Sequence, residues 1–195
     1  METLNRIIST AIPLPINDVD TDQIIPARFL KESNKTSYSD CLFADWRNYN
    51  GKPKKDFWLN REFSGKILVT QSNFGCGSSR EHAAWAIKDF GISVVIAISF
   101  ADIFKNNALN NGIIPIILNQ SQIDLTIQQV IKNPKFEIKV DLETQTVEIP
   151  GICTTFFEIN AFKKECILKG LDEIDYLVNL KPDIEKFEKS INNKL

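Results

Sequence analysis

The sequence predicts a single α/β domain, residues 1–195, built on a mainly parallel sheet. Between Lys66 and Leu118, short apolar runs alternate with amphipathic segments in the order βαβαβ. The apolar runs are continuous, which is typical of parallel strands that are buried on both faces. The chain has 195 residues, of which 43% are hydrophobic, and this is enough for one domain with its own core.

The N-terminal third combines one predicted strand with a long irregular segment. Residues 5–12 form the first predicted strand, which we expect to end at the prolines at positions 13 and 15. A polar turn, NDVDTDQ, then leads into IIPARFL. Residues 31–65 are rich in polar and aromatic side chains and have no sustained periodicity. We therefore predict a long loop that is functional or covers a partner.

The middle of the chain supplies the parallel unit. Its strands are predicted at residues 66–71, 93–99 and 113–118. Its helices are predicted from Ser78 to Phe90 and from Ala101 to Asn111. Glycines directly after both helices fit their C-terminal ends.

The C-terminal third adds helices and an antiparallel hairpin. FEIKV and TVEI alternate in hydrophobicity around a polar turn at 142–145, as the two strands of a hairpin do. Helices are predicted at 123–132, at 161–169 before Gly170, and at 172–178. The tail at 180–195 is predicted to be a frayed helix.

Composition excludes several classes of function. The formal net charge is −2, so nothing favours binding to nucleic acid or to an acidic membrane. No apolar run is long enough to span a bilayer, and no secretory signal is recognisable. The 4 cysteines are scattered and the chain has 1 histidine, so we expect no metal site within it. Scattered thiols without a signal peptide favour a cytoplasmic location.

The segment from Asn73 to Ala86, NFGCGSSREHAAWA, carries the clearest chemical signal. It follows a predicted strand and opens a predicted helix. A helix N-terminus presents unpaired backbone N–H groups and a positive dipole end to an anion. Arg80 adds a guanidinium fork that suits a carboxylate or a phosphate. The segment therefore predicts a site for a small acid.

Ser78 has two interpretations. Ser78 and Glu81 have the spacing of a capping box, in which the serine only caps the helix. Alternatively, the positive field activates the Ser78 hydroxyl as a base or nucleophile. A serine hydrolase fits poorly, because there is no G-x-S-x-G motif and His82 follows on the same helix. Cys76, at the same helix end, is expected to have a somewhat stabilised thiolate, although we do not expect it to be catalytic.

The acidic run at Asp18, Asp20 and Asp22 is equally open to interpretation. It fits a solvated turn, and it also fits a carboxylate that orients a substrate or relays a proton. A calcium loop is disfavoured, since the bidentate glutamate at the required distance is missing. Arg28 is either a surface residue or a ligand for a second carboxylate.

Four stretches are similar to one known family. They are DTDQIIPARFL, GKILVTQSNFGCGSSREHAAWAI, SFADIFKNNALNNGIIPI and FEINAFKKECILKGLDEIDYL, in that order. Together they cover most of residues 5–178 and resemble the small subunits of the isopropylmalate isomerases, the 3-isopropylmalate dehydratases of the aconitase family. The resemblance implies the swivelling β/β/α domain of the aconitase type, with a mainly parallel central sheet and an added hairpin.

The resemblance also implies a reaction and a partner. The reaction is dehydration of 2-isopropylmalate to 2-isopropylmaleate and rehydration to 3-isopropylmalate, in leucine biosynthesis. A large partner subunit carries a four-iron, four-sulfur cluster, so no cofactor is expected in this chain. The site forms between the subunits, and the chain alone is expected to be inactive.

Residue roles follow from the same resemblance. Ser78 matches the family's alkoxide base, and Asp22 matches an aspartate that supports acid–base steps. Ser79 and Arg80 match ligands of the substrate carboxylate. The loop that selects the substrate's side group corresponds here to Lys31, Lys35, Thr36 and Tyr38. Thr21 and Asp20 are expected only as neighbours of the site.

Two alternatives remain at this point. Related hydro-lyases that act on citraconate or homoaconitate share the same core motifs, and residues 31–39 depart from the family's usual pattern. A non-catalytic module that binds a dicarboxylate or a partner protein is the third hypothesis. The presence of both the GSSRE and the DTD motifs disfavours that module, since a bare scaffold needs neither Ser78 nor Asp22.

Overall fold

The computed structural model describes residues 3–31 and 37–192. The strands are β1 (Arg6–Leu14), β2 (Asn48–Tyr49), β3 (Lys52–Pro53), β4 (Ile67–Thr70), β5 (Val94–Ala97), β6 (Ile114–Ile117), β7 (Glu137–Asp141), β8 (Thr146–Ile149) and β9 (Cys153–Phe156). The α-helices are α1 (Thr21–Ile24), α2 (Ala44–Arg47), α3 (Glu81–Asp89), α4 (Asp102–Asn110), α5 (Gln120–Lys132), α6 (Ala161–Lys169), α7 (Glu173–Asn179) and α8 (Lys181–Asn192).

One seven-stranded sheet organises the chain, in the order β6-β5-β4-β1-β7-β8-β9. Strands β6, β5, β4 and β1 are parallel, as the βαβαβ pattern predicts. Strands β7, β8 and β9 continue the sheet in antiparallel pairing. The predicted α/β class with an added hairpin is confirmed. The antiparallel part is one strand larger than predicted, because β9 pairs with β8.

The first strand extends further than the sequence indicates. β1 continues through Pro13 to Leu14, whereas we expected it to end at residue 12. Residues 6–10 of β1 pair with β7, and residues 11–14 pair with β4 on the other side. Pro13 is therefore paired on one side only, which is the situation in which a strand tolerates proline.

The helix after β4 begins later than predicted. α3 starts at Glu81, and Arg80 is its N-cap in an extended conformation. Ser78 and Ser79 lie outside the helix, in the connection from β4. Their position matters for function, since the hydroxyl of Ser78 is not used as a helix cap.

Residues 37–65 were predicted to belong to a long loop, and they contain short helical turns and the small β2–β3 hairpin. Aromatic rings of Phe43, Trp46 and Phe57 pack together, with the first two stacked at 5.5 Å between ring centroids. The Arg47 guanidinium donates to Asn60 Oδ1 at 3.2 Å. It also lies over the Phe90 ring, at 4.9 Å from the ring centroid. The Arg47–Phe90 contact joins the segment to the C-terminal end of α3.

The core lies on both faces of the parallel strands. Every residue of β4 and β5 is buried, which matches their continuous apolar sequences. Helix α5 packs against β1 and β4, while α3 and α4 pack against each other. None of the helices that the structure describes is long and apolar enough to cross a membrane.

The sheet topology also positions the site. β4 leads into α3 and β5 leads into α4, so both helices begin at the same edge of the sheet. In open α/β sheets, ligands bind at the carboxyl ends of the strands.

Candidate active site

Two segments distant in sequence are joined at this edge. The Gly75 N–H donates to the Val19 carbonyl at 2.8 Å, and the Thr21 N–H donates to the Cys76 carbonyl at 2.9 Å. Asp20 and Cys76 thereby form a short parallel bridge. The DTD motif and the GCGSSR motif consequently form one structural unit.

Asp20 and Asp18 have structural roles in this unit. Asp20 caps α1, since its Oδ1 accepts from the Asp22 N–H at 2.6 Å and its own N–H donates to Gln23 Oε1 at 2.8 Å. Asp18 accepts from Asn73 Nδ2 at 2.8 Å. The solvated-turn interpretation of the acidic run therefore holds in part, because two of its three carboxylates order the turn. The carboxylate of Asp22, in the first turn of α1, bonds to Arg80 instead.

The backbone conformation at position 77 and its close contact with Asp20 require a glycine. Its φ of +83° lies in the region that side chains avoid, and a Cβ there would overlap the Asp20 carboxylate. A side chain at this position would push the GCGSSR connection away from the DTD turn. Gly77 therefore permits the close approach of the two motifs.

Asp22 and Arg80 form an ion pair. Arg80 Nη2 donates to Asp22 Oδ2 at 2.7 Å, and Nη1 lies against Oδ1. The Arg80 side chain is 15% exposed and that of Asp22 is 53% exposed. The hydrogen bond from Arg80 lowers the pKa of Asp22, and the same bond raises the pKa of Arg80. Both groups are therefore charged at neutral pH.

The capping interpretation of Ser78 is wrong. Helix α3 has no side-chain cap, and the Glu81 carboxylate accepts instead from Asn111 Nδ2 at 3.2 Å. Ser78 and Ser79 are exposed. Within the described part of the chain, the backbone N–H groups of residues 77–80 have no acceptor. Four backbone amides and two hydroxyls thus lie next to the Arg80 guanidinium, which is paired with Asp22.

These groups line a cavity of about 260 Å³. One wall is the GCGSSR connection with Thr21, and the other is the start of α4, where Asp102, Ile103 and Asn107 line the cavity. Sequence reasoning named no site residue on α4. The available signal was topological, because α4 follows β5 at the edge where α3 follows β4. A larger cavity of about 570 Å³ lies beyond Asp102, but no serine or arginine lines it.

Other predicted site residues lie elsewhere. Arg28 forms a two-pronged ion pair with Asp45, at 3.0 Å for Nη1 to Oδ2, and does not line the 260 Å³ cavity. Lys31 is exposed at the end of a short helical turn. The Tyr38 ring packs on α3, 5.5 Å from the His82 ring. Lys35 and Thr36 lie outside the described residues. The roles predicted for these residues stay predictions.

Cys76 does not have the stabilised thiolate that its position suggested. Burial raises the pKa of the Cys76 thiol, and the nearby Asp20 and Asp18 raise it further. The four cysteines carry thiols rather than disulfides. Within residues 3–31 and 37–192, no three His, Cys, Asp or Glu side chains are grouped so that they could hold a metal ion.

Comparison with known proteins places the chain in a family. The aconitase C-terminal domain family matches residues 1–121. The 3-isopropylmalate dehydratase small subunit of Cytophaga hutchinsonii is 51% identical over 193 residues, which cover 97% of this chain and 96% of the relative. The corresponding subunit of Karelsulcia muelleri is 51% identical over 191 residues and 97% of both chains.

A solved structure agrees with these sequence relatives. The crystal structure of 3-isopropylmalate dehydratase from Methanocaldococcus jannaschii is 34% identical in sequence and superimposes with a TM-score of 0.66. The match covers 93% of this chain and 98% of that one. The chain therefore contains an aconitase C-terminal domain and belongs to the family of 3-isopropylmalate dehydratase small subunits.

Proposed function

We propose that this chain is the small subunit of a hydro-lyase that interconverts 2-isopropylmalate and 3-isopropylmalate through 2-isopropylmaleate, in leucine biosynthesis. The observation that carries the proposal is the convergence of Ser78, Ser79 and Arg80 on one cavity, with Asp22 paired to Arg80. Relatives at 43–51% identity with this name support the reaction.

The cavity suits one end of a small dicarboxylate. Arg80 supplies fixed positive charge, and the N–H groups of residues 77–80 supply neutral donors in the same place. Charge-assisted hydrogen bonds of this kind are about twice as strong as neutral ones. We assign carboxylate binding to Arg80 and Ser79. Arg28 remains a candidate for the second carboxylate, which requires it to leave Asp45.

Ser78 is our candidate for the base. Dehydration requires removal of a proton from the carbon beside a carboxylate, and the Ser78 hydroxyl is exposed at the cavity. Positive charge from Arg80 and the nearby amides favours the alkoxide form of the serine. Asp22 holds Arg80 in place and, as an ionised carboxylate beside the site, can support the proton transfer.

The name of the relatives implies a larger partner subunit. We propose that this partner is the large subunit of isopropylmalate isomerase and that it carries a four-iron, four-sulfur cluster. The bound cluster would supply a Lewis acid for the substrate hydroxyl. We further propose that residues 1–195 form a single swivel domain, with residues 31–65 on the substrate side, and that the pair works in the cytoplasm.

Reconstitution tests the proposal. The chain is mixed anaerobically with the cluster-loaded large subunit, and hydration of 2-isopropylmaleate and of citraconate is followed in parallel. We expect turnover of 2-isopropylmaleate that requires both chains. Faster hydration of citraconate would change the proposed substrate but leave the proposed reaction class, a hydro-lyase reaction, unchanged. A complex that forms but hydrates neither acid would overturn the proposal in favour of a binding role.

A further inference from the structure

Thr21 makes two hydrogen bonds to the segment that carries Ser78. Its Oγ1 donates to the Ser78 carbonyl at 2.7 Å. Its backbone N–H donates to the Cys76 carbonyl at 2.9 Å. The Thr21 side chain is almost completely buried, with 2% of the residue exposed. A buried hydroxyl with a short bond to one carbonyl fixes the orientation of that carbonyl.

This bond competes with a local alternative. Ser78 and Glu81 have capping-box spacing, and that box would start the helix at residue 79. In such a helix the Ser78 carbonyl accepts from the N–H of His82, four residues later. In the structure that carbonyl accepts from Thr21, and the helix starts at Glu81. Local sequence and tertiary contact therefore favour different conformations of the same residues.

The two conformations differ in what they leave free. In the capping box, Ser78 Oγ accepts from the Glu81 N–H, and the Glu81 carboxylate accepts from the Ser78 N–H. In the observed conformation, the N–H groups of residues 77–80 lack acceptors in the described part of the chain. Because the peptide is trans, the Ser79 N–H also points away from the Ser78 carbonyl and hence away from Thr21.

We propose that Thr21 is a positioning residue for Ser78. By holding the Ser78 carbonyl, it prevents the capping box, so that the Ser78 hydroxyl and the Ser78 N–H are left for a ligand. Thr21 acts through Ser78 and does not itself transfer a proton. Its effect on turnover rests on the proposed function, whereas its effect on the conformation of residues 78–82 does not.

The test compares Thr21→Val with Thr21→Ser in the full chain. Valine keeps the shape of threonine and removes the hydroxyl, while serine keeps the hydroxyl and removes the methyl group. In complex with the large subunit, we expect kcat/KM of Thr21→Val to fall by about 100-fold, the size of loss that small misplacements cause. Thr21→Ser should stay within about 5-fold of wild type, because it restores the bond.

Thr126→Val is the matched control. Thr126 is also buried, and its Oγ1 donates to the Gln122 carbonyl at 2.6 Å within α5. We expect Thr126→Val to lower the midpoint of thermal unfolding as Thr21→Val does, yet to leave kcat/KM unchanged. Should Thr21→Val fail to fold, Thr21→Ala removes the same hydroxyl and takes its place.

Amide hydrogen exchange of the chain without its partner provides the second readout. We expect Thr21→Val to increase protection of the His82 N–H at least tenfold, because that group gains the Ser78 carbonyl as acceptor. Unchanged exchange at His82 would overturn the proposal even if the reconstituted enzyme is inactive for other reasons. Equal loss of kcat/KM in Thr21→Ser and Thr21→Val would also overturn it.

Discussion

Arg80 and Asp22 are held together across the edge of the sheet, with Arg80 Nη2 donating to Asp22 Oδ2 at 2.7 Å. The pair joins the first turn of α1 to the N-cap of α3. It fixes the guanidinium in a cavity lined by Ser78 and Ser79 before any ligand binds. Preorganisation of this kind lowers the cost of binding an acid.

Replacement of Arg80 by lysine tests the guanidinium. We expect Arg80→Lys to reduce kcat/KM of the reconstituted enzyme by about 100-fold, since an ammonium group cannot bond to two carboxylates through a planar fork. Steady-state kinetics of 2-isopropylmaleate hydration provides the measurement. Arg6→Lys is the control and should behave as wild type, because Arg6 is exposed at the start of β1, at the opposite edge of the sheet from the site. An unaltered kcat/KM in Arg80→Lys would remove Arg80 from the site.

The ion pair also predicts a dependence of stability on pH. Arg80 lowers the pKa of Asp22 from its ordinary value of 3.8. The stabilisation is therefore complete above pH 3.8 and is lost as the pH falls through the lowered value. We expect Asp22→Asn to cost at most about 1 kcal/mol at pH 7, because Asp22 is half exposed. Urea unfolding at pH 7 and at pH 3 should show a smaller difference from wild type in acid. If the difference in unfolding free energy between Asp22→Asn and wild type were larger at pH 3 than at pH 7, the ion pair would not stabilise the fold.

A comparison of alanine variants at Gly77 and Gly151 distinguishes steric crowding from backbone strain. Both have positive φ, +83° and +74°, but a Cβ at Gly77 would overlap Asp20, whereas nothing lies within 4 Å of one at Gly151. We expect Gly151→Ala to cost only the local strain, about 1 kcal/mol. Gly77→Ala should in addition displace Ser78 and reduce turnover at least tenfold. Thermal unfolding and kinetics of both variants check this, and equal activities would show that the connection tolerates displacement.

A prediction about the hydrophobic core compares two isoleucines in neighbouring strands. Ile96 in β5 is fully buried, whereas Ile117 at the end of β6 is 48% exposed. We expect Ile96→Ala to lower the free energy of unfolding by about 2–5 kcal/mol, because it leaves a cavity. Ile117→Ala should cost clearly less. Urea denaturation measures both, and similar losses would argue against a core centred on β5.

The sequence predicts elements well where their signals are local. Helix α6 has the predicted bounds, 161–169, because Asn160 caps its start and Gly170 ends it in the left-handed conformation. The strands of the parallel unit are recognisable because burial on both faces makes their sequences continuously apolar. β1 runs through Pro13 for a reason that only the strand order reveals, namely that this half of β1 is paired on one side.

The site is less accessible to sequence reasoning. The residues suggested an acid-binding helix start, and only the family resemblance assigned Ser78 as base. The start of α3 was predicted three residues early, because the capping signal at Ser78 is not used. The Ser78 carbonyl instead accepts from Thr21, which lies 57 positions away. The α4 wall of the cavity was missed, since its residues carry no motif of their own. The start of α3 and the α4 wall of the cavity both depend on contacts between segments that are distant in sequence.

Turnover of the Ser78→Ala variant tests the central claim most directly. The variant and the wild-type chain are each assembled with the large subunit, and hydration of 2-isopropylmaleate is measured together with exchange of the transferred proton with deuterated solvent. We predict that Ser78→Ala assembles normally and loses at least about 1000-fold in both rates, since it lacks the proton-transferring oxygen. Near-normal rates in an intact complex would contradict the assignment of Ser78 as the base.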